Sequence, residues 1–168
     1  SDLFEVIYET LPVPRLPEAL EGAKMVQLSD LHRGCGNTDA LIAEAVSVAN
    51  NLCPEFIVVT GDFVDEHKKD VLPAVDLVKP LRAKYGVHAV LGNHDQRGDP
   101  ELLLDALSKS GINMVHNLAA EVVDGFWFVG IDDILEGQAD MNAAFRYLPS
   151  DAAAVFLAHN PNTLDLVP

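Results

Sequence analysis

Asp30 and His32 stand two residues apart. Asp62 and Asp65 stand three apart behind Gly61, Asn93 and His94 are adjacent behind Gly92, and His159 follows alone. Each group comes directly after a short apolar run, at 24–28, 56–60, 87–91 and 153–157. Apolar, β-branched runs of this length read as strands, and 56–60 as one buried on both faces. Each group therefore sits where a strand gives way to a loop, and carboxylate, imidazole and amide groups are delivered together to one edge of a sheet. Oxygen and nitrogen donors of this kind suit divalent cations such as manganese, iron or zinc. Singly the signals are weak, because Asp30 reads equally well as a cap, and Asp62 and Asp95 as turn residues after glycine. Four such groups in order, each behind a strand, point to a two-metal hydrolytic site.

The elements between these groups alternate. Residues 4–8 read as a short strand, followed by a proline-rich connection to Pro17 that forbids helix. Leu41, Ile42, Ala45, Val46 and Ala49 fall on one helical face within 38–50, and Val71, Leu72, Val75, Val78 and Leu81 form a second face whose ends Pro73 and Pro80 limit. Asp99-Pro100-Glu101 has the grammar of a helix start, and Gly111 closes that helix near Ser110. Beyond it come a short strand at 112–115, a hairpin turning at Asp124-Gly125, a helix around 141–147 and the strand 153–157. Phe126, Trp127 and Phe128 read as hairpin core with one exposed aromatic. Asp132-Asp133 reads as a turn, Asp95 as a cap behind His94, and His67, His88 and His116 as structural or exposed.

Length and composition bound the function. The 168 residues fit one domain, 1–168, with 49% hydrophobic content and ordinary charge density, as in a globular chain. A formal net charge of −15 argues against a nucleic-acid binder and leaves a phosphate substrate open, since bound cations supply local positive charge. Cys35 and Cys53 read as two reduced thiols. No run approaches the ~18 apolar residues of a membrane span, and no signal-like segment is present, so a cytoplasmic or membrane-peripheral location is expected over a secreted one.

These motifs resemble the calcineurin-like metallophosphoesterase family, whose pattern is D-x-H, G-D-x-x-D, G-N-H-[D/E], a lone His after a strand, and G-H-x-H. The first four occur here in order, from Asp30 to His159. The stretch from Tyr8 into Ser29-Asp30-Leu31-His32 is also similar to the bacterial branch that contains membrane-associated phosphodiesterases acting on nucleotide-lipid or lipid substrates. The resemblance implies an α/β sandwich: two stacked mixed β-sheets flanked by helices. It also implies two divalent cations bridged by Asp62, with Asp30 and His32 completing one site and Asn93 and His159 the other. His94 would act as general acid, with Asp65 accepting its other ring N–H. The implied reaction is hydrolysis of a phosphodiester or phosphomonoester by a metal-bridging hydroxide.

Two departures from the pattern matter. No G-H-x-H occurs, so a C-terminally incomplete domain is expected, with an unpaired sheet edge open to self-association. That absence leaves a second reading, a catalytically crippled metal- or partner-binding module. Glu66 stands where the family often has a phosphate-contacting arginine, and Arg33 or Arg97 could substitute or be solvated surface residues.

Overall fold

The computed structural model describes residues 4–167; residues 1–3 and 168, the extreme ends of the expected 1–168 domain, lie outside the described residues. Strands β1 (Met25–Leu28), β2 (Phe56–Thr60), β3 (Val87–Val90) and β4 (Asn113–Met114) form a four-stranded sheet in that order, every neighbouring pair parallel. Strands β5 (Leu118–Val123), β6 (Phe126–Gly130) and β7 (Ala153–Leu157) form a second sheet, antiparallel between β5 and β6 and parallel between β6 and β7. The α/β sandwich is therefore built from one parallel sheet and one mixed sheet.

The crossovers of the first sheet are helical, as parallel pairing requires. They are α1 (Asp39–Asn51), α2 (Lys68–Val78), and the short α3 (Asn93–Arg97) followed by α4 (Pro100–Lys109). Their starts are written locally. The Thr38 hydroxyl accepts the Leu41 N–H, and the Asp99 carboxylate accepts the Leu102 N–H ahead of Pro100 at the first helical position.

Alternation along β2 and β3 assigns the layers. Ile57, Val59, Val87 and Ala89 pack against the helices together with Val46, Val71, Val75, Leu103 and Leu107. Phe56, Val58 and Val90 face the second sheet and meet Phe126, Phe128, Ala153 and Leu157. Phe56 lies 5.2 Å from Phe126 and 5.6 Å from Phe128, an aromatic cluster between the sheets. The outer face of the second sheet is covered by α5 (Met141–Phe145) through Ala144 and Phe145 against Val129 and Phe156. Trp127 is the half-exposed aromatic of the hairpin.

Three local expectations are corrected. Residues 4–8 form no strand: they are exposed and have no ladder partner among the described residues, so their apolar side chains have no sheet edge to join. Pro73 lies inside α2 rather than at its end. The missing N–H costs one helical bond, and the burial of Val71, Ala74, Val75 and Val78 holds the helix through it, while Pro80 does follow its end. Gly92-Asn93-His94-Asp95 is not an open loop but the start of α3.

His88, read as structural, is buried on β3 with its ring centroid 4.9 Å from that of Phe128. Its Nε2 lies 3.0 Å from the Tyr85 carbonyl and must carry a proton to donate there, while Nδ1 is buried without a partner. Burial pushes this imidazole below its ordinary value, against the Tyr85 bond. The folded chain thus holds fewer protons here than the unfolded chain below pH about 6.5, and this contribution to stability is present above that pH and lost as pH falls. The urea midpoint should fall from pH 7.5 to 5.5 by more in the wild type than in His88→Gln; equal falls would remove His88 from the account.

Candidate metal centre

The loops leaving β1, β2 and β3 are tied to one another past the strand ends. The Asp30 N–H donates to Gly61 O at 3.1 Å, His32 N–H to Asp62 O at 2.9 Å and Arg33 N–H to Phe63 O at 3.0 Å. These bonds hold Asp30, His32 and Asp62 at φ of 56°, 42° and 56°, a left-handed conformation that costs side-chain-bearing residues about 1–3 kcal/mol each. Three such residues together mark a site whose geometry is imposed by its surroundings. Glycine is required where two of the loops touch. A Cβ on Gly61, itself at φ 92°, would lie 2.4 Å from Gly92 N, and one on Gly92 would lie 2.2 Å from Asp62 Oδ1.

Asp95 locks the same junction. It is fully buried, and its carboxylate accepts the N–H groups of Asp62 at 2.8 Å, Phe63 at 2.9 Å, Val64 at 3.2 Å and Gly92 at 3.0 Å. Burial pushes this carboxyl up to about 7, against the backbone donors that hold it down.

Asp62 is the centre of the cluster and is 2% exposed. Its Oδ1 accepts the His94 N–H at 2.9 Å, and its Oδ2 lies 3.3 Å from both His32 Nε2 and His159 Nε2. Asp30 Oδ1 stands 3.5 Å from His32 Nε2 on one side, and Asn93 Oδ1 stands 3.1 Å from His159 Nε2 on the other. Burial pushes the Asp62 carboxyl up, but the hydrogen bond and charge of His159, the His94 N–H and His32 outweigh it and leave the group below its usual range. The Asp62 hydrogen bond raises His159 to about 9, against burial.

The imidazoles share one arrangement. His159 Nδ1 lies 2.8 Å from Thr60 O and His94 Nδ1 lies 2.8 Å from Asp65 O, so each Nδ1 carries a proton that it donates to a carbonyl. His32 Nδ1 faces Asp65 Oδ1 at 3.5 Å. In His32 and His159 the second nitrogen, Nε2, is thereby turned toward Asp62, in the tautomer that a metal ligand needs. Around Asp62 the chain thus gathers acceptors facing acceptors: two carboxylates, an amide oxygen and two Nε2 lone pairs. That set needs a cation at its centre, whether protons on the imidazoles or divalent metals, and oxygen and imidazole donors fit the latter. Asp30, His32 and Asp62 offer three ligand atoms within 4.8 Å of one another.

All seven residues singled out in the sequence (Asp30, His32, Asp62, Asp65, Asn93, His94 and His159) meet at this edge. The two arginines do not stand free. Arg33 Nη1 donates to Asp70 at 2.5 Å and Nη2 to Asp39 at 3.1 Å, while Arg97 pairs with Glu136 through Nε at 2.8 Å and with Glu66 through Nη1 at 2.9 Å. Asp132 and Asp133 are buried turn acceptors, Asp132 for Gln96 and the Gln138 N–H, and Asp133 for the Leu135 and Glu136 N–H groups. His67 is exposed, and Cys35 and Cys53 are free thiols. Sequence reading missed the carbonyls of Thr60 and Asp65 that set the tautomers, because every residue has a carbonyl and none announces its aim. It also missed the Glu66–Arg97–Glu136 cluster, whose members are some 30 to 70 positions apart.

Comparison with known proteins places the chain in a family. The sequence pattern of the calcineurin-like phosphoesterase family matches residues 23–164. The chain is 30% identical to a zebrafish (Danio rerio) transmembrane protein with metallophosphoesterase domain, over 94% of the chain and 39% of that protein. It is 26% identical to the uncharacterized metallophosphoesterase YkuE of Bacillus subtilis, over 95% of the chain and 58% of the relative. It is 24% identical to the UDP-2,3-diacylglucosamine pyrophosphatase LpxG of Chlamydia trachomatis, over 90% of the chain and 61% of the relative. The chain thus spans between two-fifths and three-fifths of the length of these relatives. No helix among the described residues is long and apolar enough to cross a membrane. From the matched span and the ordered motifs at one sheet edge, the chain belongs to the calcineurin-like phosphoesterase family.

Proposed function

We propose that this chain hydrolyses a phosphoester, a phosphodiester in preference to a monoester, at a centre of two divalent metal ions held by Asp30, His32, Asp62, Asn93 and His159. The observation that carries the reading is the position of Asp62 Oδ2, equidistant at 3.3 Å from the Nε2 atoms of His32 and His159. A carboxylate oxygen so placed, with its other oxygen fixed by the His94 N–H, suits the bridging position between two cations. When bound, the ions would neutralise phosphoryl charge and lower the pKa of water toward neutrality.

The chain's own groups do the rest. Asn93 and His159 would hold one ion and Asp30 and His32 the other, with Asp62 shared between them. His94, with Nδ1–H committed to the Asp65 carbonyl, has Nε2 left for substrate, and as the imidazolium it would pass the Nε2 proton to the departing oxygen and end as the neutral ring. Glu66 and Glu136 occupy the Arg97 guanidinium, so this arginine is not free for phosphate, and bound ions would supply the positive charge there. The relative LpxG is named a UDP-2,3-diacylglucosamine pyrophosphatase, and that name favours a nucleotide- or lipid-linked phosphate compound as the substrate class, met at a membrane surface where the substrate is a lipid. The metal-stripped chain should not cleave bis-p-nitrophenyl phosphate, and cleavage should return with Mn2+ or Zn2+ and vanish again with a chelator. A chain that takes up metal without hydrolysing any phosphoester would stand as a binding module.

A further inference from the structure

Resting on that reading, we propose that Asp65 is a positioning residue for the metal centre as well as for the acid, one carboxylate that orients both His32 and His94. Asp65 Oδ1 lies 3.2 Å from His94 Nδ1 and 3.5 Å from His32 Nδ1. The two rings meet edge to face, 4.7 Å apart and inclined at 84°, so their Nδ1 edges converge on a single oxygen. The backbone of Asp65 is tied to the loop that carries His32, its N–H donating to the Arg33 carbonyl at 3.2 Å. His32 presents Nε2 to Asp30 and Asp62, which leaves Nδ1–H to donate on the opposite edge of the ring, where Asp65 stands.

The donor atoms of His32, Asp65 and His94 also lie within 4.8 Å of one another, the spacing of a cation site. Hydrogen bonding excludes that use. His94 Nδ1 sits 2.8 Å from the Asp65 carbonyl, a contact only an N–H can make, so it has no lone pair for a metal. The trio is instead one carboxylate oxygen set between the acid and a metal ligand, close to the Nδ1 of each. The two imidazoles depend on it unequally. His94 keeps the Asp65 backbone carbonyl whatever the side chain, whereas His32 faces the carboxylate itself. Removing the carboxylate should therefore act on the metal centre through His32 and not only on proton donation.

The test is a calorimetric titration of Mn2+ into the metal-stripped chain, wild type beside Asp65→Asn and His94→Ala. The wild type should take up two equivalents. Asp65→Asn should bind one of them about 10–100-fold more weakly, the usual consequence of losing an outer partner of a ligating histidine. His94→Ala, which removes the acid and leaves the carboxylate, should bind both within about twofold of the wild type on this account of separate roles. In the Zn2+-loaded chain, long-range 15N correlation spectra should show the His32 Nδ1–H signal shifted by Asp65→Asn. Asp65→Ser reads the same affinity should the Asn variant fold poorly. Two intact Mn2+ sites in both Asp65 variants would overturn the inference and leave the proposed function standing. A wild-type chain that takes up no Mn2+ would overturn both.

Discussion

Asp62→Asn should abolish metal-dependent phosphoester hydrolysis, lowering kcat/KM by roughly 10³-fold or more, while the chain still folds. The size follows from losing several kcal/mol of transition-state charge stabilisation, each 1.36 kcal/mol being about tenfold in rate. The substitution is nearly isosteric, and the Asn oxygen can still accept the His94 N–H that Asp62 Oδ1 accepts at 2.9 Å. What changes is the other atom. An amide nitrogen would replace the oxygen that lies 3.3 Å from both His32 Nε2 and His159 Nε2, putting a donor where two lone pairs and a cation should meet. Metal analysis of the purified variant should show at most one equivalent where the wild type shows two. Wild-type metal content with wild-type kcat would remove Asp62 from the centre altogether. A variant that binds both ions yet is inactive would reassign Asp62 from ligand to a role in the chemical step.

Much of this centre was legible in the sequence because its side chains announce themselves by type. Carboxylates and histidines behind strand-length apolar runs have few structural reasons to recur four times. The cap at Asp99 was legible for the same reason, making the N–H bond its position suggested. Residues 4–8 misled because an apolar segment that reads as a strand needs a partner edge, and pairing is a property of the fold rather than of the segment. Pro73 misled for a complementary reason: a proline penalty read locally is outweighed by the burial of Val71, Ala74, Val75 and Val78 around it. The start of α3 was hidden because five residues hold too little periodicity to see, and its cap is a carboxylate whose bonds reach back across the loop after β2. The interactions that escaped notice use backbone carbonyls, or pair charges remote in sequence, as Arg97 with Glu136.

Asp95→Ala should be the most damaging single change to stability, costing about 3 kcal/mol or more, because four buried N–H groups lose their shared acceptor at once. Asp95 reads in sequence as a cap for the loop behind His94; in the structure its bond to the Gly92 N–H caps α3. The other three donors, Asp62, Phe63 and Val64, belong to the loop that carries the Asp62 carboxylate, so one side chain welds the β2 and β3 loops together. Alanine would leave four N–H groups in a fully buried place that water cannot easily reach, each orphaned donor costing about 1–3 kcal/mol before relaxation. Asparagine is no remedy, since its NH2 would face N–H groups that need an acceptor, and Asp95→Asn should lose more than half of what alanine loses. For a chain of this length the alanine variant should melt about 10 °C or more below the wild type in a metal-free thermal scan. The same variant should bind Mn2+ more weakly even where it remains folded, because the left-handed backbone at Asp62 is held by the loop that Asp95 secures. An alanine variant melting within about 2 °C of the wild type would show that the four N–H groups find other partners, and that the close approach of Gly61 to Gly92 is fixed by the strands alone.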